Sequence, residues 1–304
     1  MSTSTDSVLP DLHIGDGVKS AIDWIYDNLS PVLDAISTSL LFLVETVTDT
    51  LLALPALVMV VLFTLLALLV RSWGFGLFTL LGTLLVVSMD MWEPAMETLG
   101  LVIVAALIAL LIAVPVGILA ARNDTFSAAV RPVLDFMQTM PGFVYLVPVV
   151  IFFGIGVVPG VCATIIFALP PGVRLTELGI RQVDSETVEA GEAFGGTSGQ
   201  ILWGIQLPLG LPTIMAGVNQ VIMLALSMSV IAGLVGAGGL GQEVVTSISR
   251  LDVPLGFEAG LAVVILAIFL DRLTGAIGQP TGRSLVAMVR SRRAAAETVL
   301  VDVG

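Results

Sequence analysis

Long runs of apolar residues fill the middle of the chain and predict membrane-spanning helices. About 20 consecutive apolar residues are needed to cross the hydrocarbon core of a bilayer. The pattern therefore predicts an all-α integral membrane protein, a polytopic bundle of about seven transmembrane helices. The predicted spans are 51–70, 73–89, 97–121, 133–154, 158–177, 211–236 and 256–276.

Glycine and proline interrupt the fourth and fifth of these spans. Spanning helices tolerate such residues where neighbouring helices satisfy the freed backbone groups. We therefore expect the interrupted segments to line a path rather than to face lipid. The interrupting residues are Pro148, Gly154, Gly156, Pro159, Pro170 and Pro171.

Residues 1–50 form an acidic extension with a different pattern. Apolar residues recur there in steps of three and four from Val18 to Val47, which is one stripe of a helix. Ser30-Pro31 interrupts the stripe, and this pair predicts the start of a second helix. We expect two amphipathic helices on the membrane surface, extracellular or interfacial, or packed on the other spans. The alternative is a tail with no special role.

Composition supports a membrane protein and limits its partners. The chain is 57% hydrophobic and 12% charged, whereas soluble domains carry about 25% charged residues. The extension holds eight acids and one base, so nucleic acid and anionic lipid do not suit it as partners. Cys162 and His13 are each the single residue of their kind, so the sequence predicts no metal site and no catalytic triad.

Basic residues predict the orientation. If the loop near 178–210 is cytoplasmic, ten of the twelve basic residues lie at that side, and only Lys19 and Arg250 lie outside. The predicted location is the plasma or inner membrane. The N-terminus is then outside the cell and the C-terminus is in the cytoplasm. The predicted parts are the extension 1–50, a transmembrane domain 51–280 with a loop 184–208, and a cytoplasmic tail 281–304.

The loop 184–208 predicts a docking surface. Asp184 or Ser185 suits a helix start, and Gly195 with Gly196 suits its end. Small residues at 190, 191 and 193 would let the backbone of another protein approach, and Glu189 and Glu192 offer charge.

The same loop resembles the EAA motif of ABC importer permeases, which is Glu-Ala-Ala, three residues, Gly, nine residues, then Ile-x-Leu-Pro. The spacing matches throughout, and Gly191 in place of the second Ala is the one departure. The resemblance implies a type I importer permease fold and a coupling helix that docks in a separate ATPase. The matching residues, with the neighbouring acid, are Glu189, Ala190, Gly191, Glu192, Gly195, Ile205, Leu207 and Pro208.

No nucleotide site is expected in the chain itself. A phosphate-binding loop needs Gly-Lys followed by Ser or Thr, and the only lysine, Lys19, follows Val18. The chain is thus predicted to be no enzyme and to hold no cofactor, while ATP and Mg²⁺ would bind to the partner ATPase.

Further stretches resemble the permeases for glycine betaine and proline betaine, osmolytes with a quaternary amine. They include 141–148, 165–171, 212–220, 238–242 and 270–274. This resemblance implies a homodimer with two ATPase subunits and an extracellular or periplasmic substrate-binding protein. Alternatives are an ABC importer for choline, carnitine, ectoine or methionine, and an ion-coupled carrier without an ATPase.

Polar residues in the sixth span are candidates for the translocation path, because intramembrane polar groups often serve function. Hydrogen bonds that join helices are the alternative. Glu243, Arg250 and Asp252 in the outer loop are candidates for contact with the binding protein, against a simple solvated cluster. The path candidates are Asn219, Gln220, Met223, Ser227, Met228 and Ser229.

Overall fold

The computed structural model describes residues 14–278, and the predicted tail 281–304 lies outside them together with His13. Every regular element in the described part is helical. Short 3₁₀ turns precede α6 and follow α10. The α-helices are α1 (Ile14–Leu52), α2 (Ala56–Val70), α3 (Trp73–Ser88), α4 (Trp92–Arg122), α5 (Asp124–Thr139), α6 (Leu146–Phe153), α7 (Val157–Arg181), α8 (Ser185–Ala193), α9 (Ser198–Ile201), α10 (Leu207–Ala232), α11 (Gly239–Arg250) and α12 (Val253–Gly278).

Three long apolar helices, α4, α7 and α10, form the centre of the bundle. A methyl group on Gly172 of α7 would lie 2.8 Å from the side chain of Ala113, so α4 and α7 approach closely. Gly217 of α10 packs in the same way against Leu175. Because small residues let helix backbones approach, these contacts gain dispersion energy that lipid cannot replace.

Four of the seven predicted spans are confirmed as helices long and apolar enough to cross a membrane: α4, α7, the helical stretch that contains α10, and α12. The first two predicted spans are the shorter apolar helices α2 and α3, with 15 and 16 residues. A helix of that length rises about 24 Å at most, less than the core of roughly 30 Å.

The predicted span 133–154 is not one straight helix. It corresponds to a pair of helical segments, Asp124–Thr139 and Gly142–Phe153, which meet at 108°. The residue before a proline is restricted to extended backbone. Met140, before Pro141, has φ −75° and ψ 133°, and the chain bends there.

The predicted division of the N-terminal extension at Ser30-Pro31 is wrong. α1 is one helix of 39 residues with Pro31 inside it. Proline removes one backbone hydrogen bond and costs about 3 kcal/mol in a helix interior. The helical residues on both sides of Pro31 offset this cost, and the helix continues. Its part Ile22–Leu52 is long and apolar enough to span a membrane, although only 11% of its most apolar stretch is buried.

The two ends of the bundle differ in their basic residues. α7 finishes and α10 begins at the end that carries residues 182–206, here called the loop end; the other is the far end. Six of the seven described arginines lie at the loop end, whereas acidic residues occur at both ends. The loop-end arginines in the described part are Arg71, Arg122, Arg131, Arg174, Arg181 and Arg272.

Candidate functional site

The predicted docking loop is a compact helical unit at the loop end. Asp184 precedes α8, and its carboxylate accepts a hydrogen bond from the backbone N–H of Glu186 at 3.2 Å. The helix therefore begins where the sequence predicted. Gly195 has φ +82°, the left-handed conformation that ends a helix and favours glycine.

Gly191 has a structural role that the sequence did not predict. A methyl group on it would lie 2.6 Å from Cδ1 of Ile205, a side chain of the same loop. The N–H of Gly196 also donates to the carbonyl oxygen of Gly191 at 3.1 Å. The small residue therefore lets the loop close on itself, while Gly191 remains half-buried and its docking role stays a prediction.

The second half of the loop is also ordered by its own side chains. Thr197 and Gln200 form a reciprocal capping box at the start of α9. A π-helical turn, Leu202–Gln206, continues directly into α10, where Leu207 and Pro208 occupy the first positions. Ile205 is half-buried against Gly191, so the motif residues fix the shape of the loop.

Exposed side chains give α8 an outer face. Glu189, Ala190 and Glu192 are exposed, as predicted for docking residues. The structure adds two aromatic residues that the sequence interpretation missed: Phe194 is 94% exposed and Trp203 is 71% exposed. They are the two aromatic residues of the stretch 182–208, which was the available signal, since exposed aromatic residues often mark protein interfaces.

A charged network fastens the base of the loop. The carboxylate of Glu177, on α7, has only 9% of its side chain exposed. It accepts hydrogen bonds from Ser127 Oγ at 2.7 Å and from Arg131 Nη2 at 3.2 Å, both on α5. It also pairs with Arg181 Nε at 2.9 Å.

Arg181 carries the network on to neighbouring helices. It donates to Asp124 on α5 and to the carbonyl oxygen of Ala120 on α4, each at 2.7 Å. Arg174 pairs with Asp135, again between α7 and α5. The sequence interpretation missed this site, although a glutamate at the end of an apolar span, four residues before an arginine, was a usable signal.

The path candidates on α10 separate into two groups. Gln220 and Ser227 are exposed and Met223 is half-buried, and their spacing places them along one face. That this face lines the translocation path remains a prediction.

The other three path candidates are buried or hydrogen-bonded within the bundle. Asn219 donates to Asp271 of α12 at 2.9 Å and accepts from Thr274, so it joins two helices. Met228 is fully buried, and Ser229 is 3% exposed and donates to the carbonyl oxygen of Leu226.

At the far end, α11 begins without a cap of its own. The carboxylate of Glu97, on α4, accepts from the N–H of Gly239 at 2.7 Å, and Thr98 Oγ1 accepts from the N–H of Leu240 at 2.8 Å. Two side chains of α4 thus satisfy the first donors of α11.

The predicted contacts for a binding protein lie along α11 and just after it. Arg250 and Asp252 are exposed, and Glu243 is half-buried. Asp252 accepts from the N–H of Leu255 at 3.1 Å, so it caps α12 as well. Between residues 14 and 278, no cluster of His, Cys, Asp and Glu has the geometry to hold a metal ion.

The described part is thus a bundle of apolar helices with a structured loop between two central helices, α7 and α10. Residues 113–281 match the family described as the binding-protein-dependent transport system inner membrane component. The chain belongs to this family of multi-pass membrane proteins.

Named relatives are similar over most of the chain. It is 46% identical over 266 residues to the glycine betaine transport system permease protein OpuAB of Bacillus subtilis. The aligned residues are 88% of this chain and 94% of that protein. It is 47% identical to the glycine betaine/proline betaine permease ProW of Escherichia coli, over 86% of this chain and 74% of that one. It is 54% identical to the glycine betaine/carnitine permease GbuB of Listeria monocytogenes, over 69% and 74%.

A solved structure shows the same fold. A chain of the MetNI methionine ABC transporter, in an inward-facing conformation, aligns with a TM-score of 0.56 at 23% identity. The alignment covers 60% of this chain and 92% of that one. The predicted type I importer permease fold is therefore confirmed for the core of the bundle.

Proposed function

We propose that the chain is the membrane-spanning permease subunit of an ATP-driven importer of glycine betaine and proline betaine. The observation that carries the proposal is the loop unit, which holds α8 and Phe194 outside the bundle while the Glu177 network ties its base to α4 and α5. Such a unit can transmit motion from a docked protein to the spans. The names of the three relatives support the substrate class.

A separate ATPase supplies the energy in this proposal. Neither the sequence around Lys19 nor the family match suggests a nucleotide site in the chain, so ATP and Mg²⁺ bind to the partner. Two copies of the permease, two ATPase subunits and an extracellular or periplasmic binding protein form the working assembly. Gln220, Met223 and Ser227 face the path, and Glu243, Arg250 and Asp252 face the binding protein.

The loop end is cytoplasmic in the proposed orientation, because arginines gather there. The N-terminus lies outside, with the first half of α1 along the membrane surface. Asp23, Asp27 and Asp34 are exposed on that half. A carboxylate at the centre of a spanning helix costs roughly 3 kcal/mol, which favours the surface position.

The docking role is tested with Phe194→Ala. Loss of an exposed aromatic anchor should weaken capture of the ATPase about tenfold or more, since such anchors contribute roughly 2 kcal/mol or more. Phe257→Ala is the matched control, because Phe257 is 71% exposed but lies on α12 at the far end. Equal capture of the ATPase by both variants would contradict the assignment of Phe194 to the docking surface.

Uptake into proteoliposomes tests the substrate. In vesicles whose loop end and ATPase face the lumen, the permease should accumulate labelled glycine betaine only with ATP inside and binding protein outside. ATP hydrolysis without accumulation of the osmolyte would contradict the substrate assignment. Labelled carnitine is the second candidate, because GbuB carries both names; preferential carnitine uptake would establish that alternative.

A further inference from the structure

A cleft at the loop end lies outside the docking unit and outside the predicted path. Its volume is about 310 Å³, and it opens between the turn that joins α2 to α3 and the last turns of α12. Arg71 and Arg272 line its upper part, while Phe78 and Ile268 form an apolar wall below them. A polar head and an apolar tail would both find matching surfaces there.

The two arginines are positively charged without full compensation. The Arg71 guanidinium donates to the carbonyl oxygen of Arg272 at 3.2 Å, and no carboxylate of the described residues pairs with it. The nearest carboxylate to Arg272 is Asp271, at 3.9 Å, and that group also accepts from Asn219. By contrast, Arg131, Arg174 and Arg181 at the same end all have close acidic partners.

The start of α3 adds hydrogen-bond donors to the same cleft. Ser72 caps the helix by accepting from the N–H of Phe75, and Gly74 lines the cleft. A helix start of this kind favours anions, and Gly74 has no side chain to obstruct them. Trp73 is 67% exposed beside the cleft, as aromatic residues at the level of lipid headgroups often are.

We propose that this cleft binds a phospholipid with an anionic headgroup, with the phosphate between Arg71 and Arg272 and an acyl chain against Phe78 and Ile268. Guanidinium groups bind phosphate oxygens with paired hydrogen bonds. The apolar wall distinguishes a lipid from free phosphate, which would gain nothing from it. The site is independent of the transported substrate.

The test is native mass spectrometry of the purified full-length protein with equimolar phosphatidylglycerol and phosphatidylcholine of the same acyl chains. The wild type should retain phosphatidylglycerol preferentially. Each lost arginine should reduce that preference on the order of fivefold, so R71Q/R272Q should lose most of it. R71K/R272K keeps the charges and should keep a clear preference.

R122Q is the matched control, because Arg122 lies exposed at the same end but outside the cleft. Its preference should equal that of the wild type. Equal losses in R122Q and R71Q/R272Q, or no loss in R71Q/R272Q, would overturn the proposal. Displacement of the lipid by millimolar inorganic phosphate would also overturn it, because the cleft would then be a site for the free anion.

Discussion

At the scale of single residues, the crossing of α7 and α10 next to the loop depends on two glycines. A methyl group on Gly179 would lie 2.9 Å from the carbonyl oxygen of Gly210, and one on Gly210 would approach the backbone of Gly179 more closely still. Since the obstruction is backbone and not a flexible side chain, neither helix can yield cheaply. This crossing sets the distance between the two ends of the loop.

Gly210→Ala should therefore destabilise the permease by roughly 1–3 kcal/mol, the usual cost of overpacking. Thermal unfolding of the purified protein in detergent should show a lower midpoint. Gly204→Ala is the control, because an added methyl there meets nothing within 4 Å. The same midpoint for both variants would mean that the crossing relaxes freely.

Some residue roles were predictable from the sequence and others were not. Asp184 and Gly195 occupy the helix ends that their chemistry predicted, because capping depends on local backbone geometry. Gly191 was predicted from its small size to be a docking residue, and its packing against Ile205 was not predicted. The partner of a small residue depends on how the loop folds back, and local patterns do not contain that information.

At the scale of elements, α5 is attached to the bundle by an apolar cluster around Leu134 and by a set of polar contacts. Only Ser127 and Leu134 of this helix are buried, and its bonds to Glu177, Arg174 and Arg181 bridge it to α7. α5 also precedes the 108° bend. Movement of α7 would therefore pass to α5 through this network.

Glu177→Gln should loosen α5. The substitution removes the charge that pairs with Arg131 and Arg181, at a cost of about 1–2 kcal/mol for a charged hydrogen-bond network that is partly exposed. Hydrogen exchange of the amides in 124–139 should become faster. Asp135→Asn, which breaks a pair at an exposed carboxylate, should change exchange much less; equal rates in wild type and Glu177→Gln would contradict the network's role.

The spanning helices were predictable from the sequence where the apolar run is long enough to cross a membrane. α4, α7 and α12 coincide closely with predicted spans because long apolar runs have no other stable form in lipid. The continuity of α1 through Pro31 and the bend at Pro141 show the limit. One proline lies within a helix and the other follows the end of one, and proline chemistry alone allows both outcomes.

At the scale of the whole molecule, the proposed orientation is testable with single cysteines in a Cys162→Ala background. Lys19→Cys on α1 and Ser249→Cys on α11 should react with a membrane-impermeant maleimide on intact cells. Thr187→Cys on α8 should react only after permeabilisation. All three positions are exposed, so accessibility within the protein does not limit the reaction.

Protection of Lys19→Cys on intact cells, with Ser249→Cys still labelled, would contradict the predicted outside N-terminus. It would mean that α1 crosses the membrane, in keeping with the length of Ile22–Leu52. The loop would remain cytoplasmic in that case. Labelling of Thr187→Cys on intact cells would instead invert the whole topology.

The cap that α4 provides for α11 has a consequence for biosynthesis. The first amides of α11 depend on Glu97 and Thr98, which are made 142 residues before them. When the ribosome delivers α11, α4 must already stand in the membrane with its polar start at the right depth. The far end of the permease is therefore completed only once α11 has been made, and an error in inserting the early spans would leave α11 without its cap.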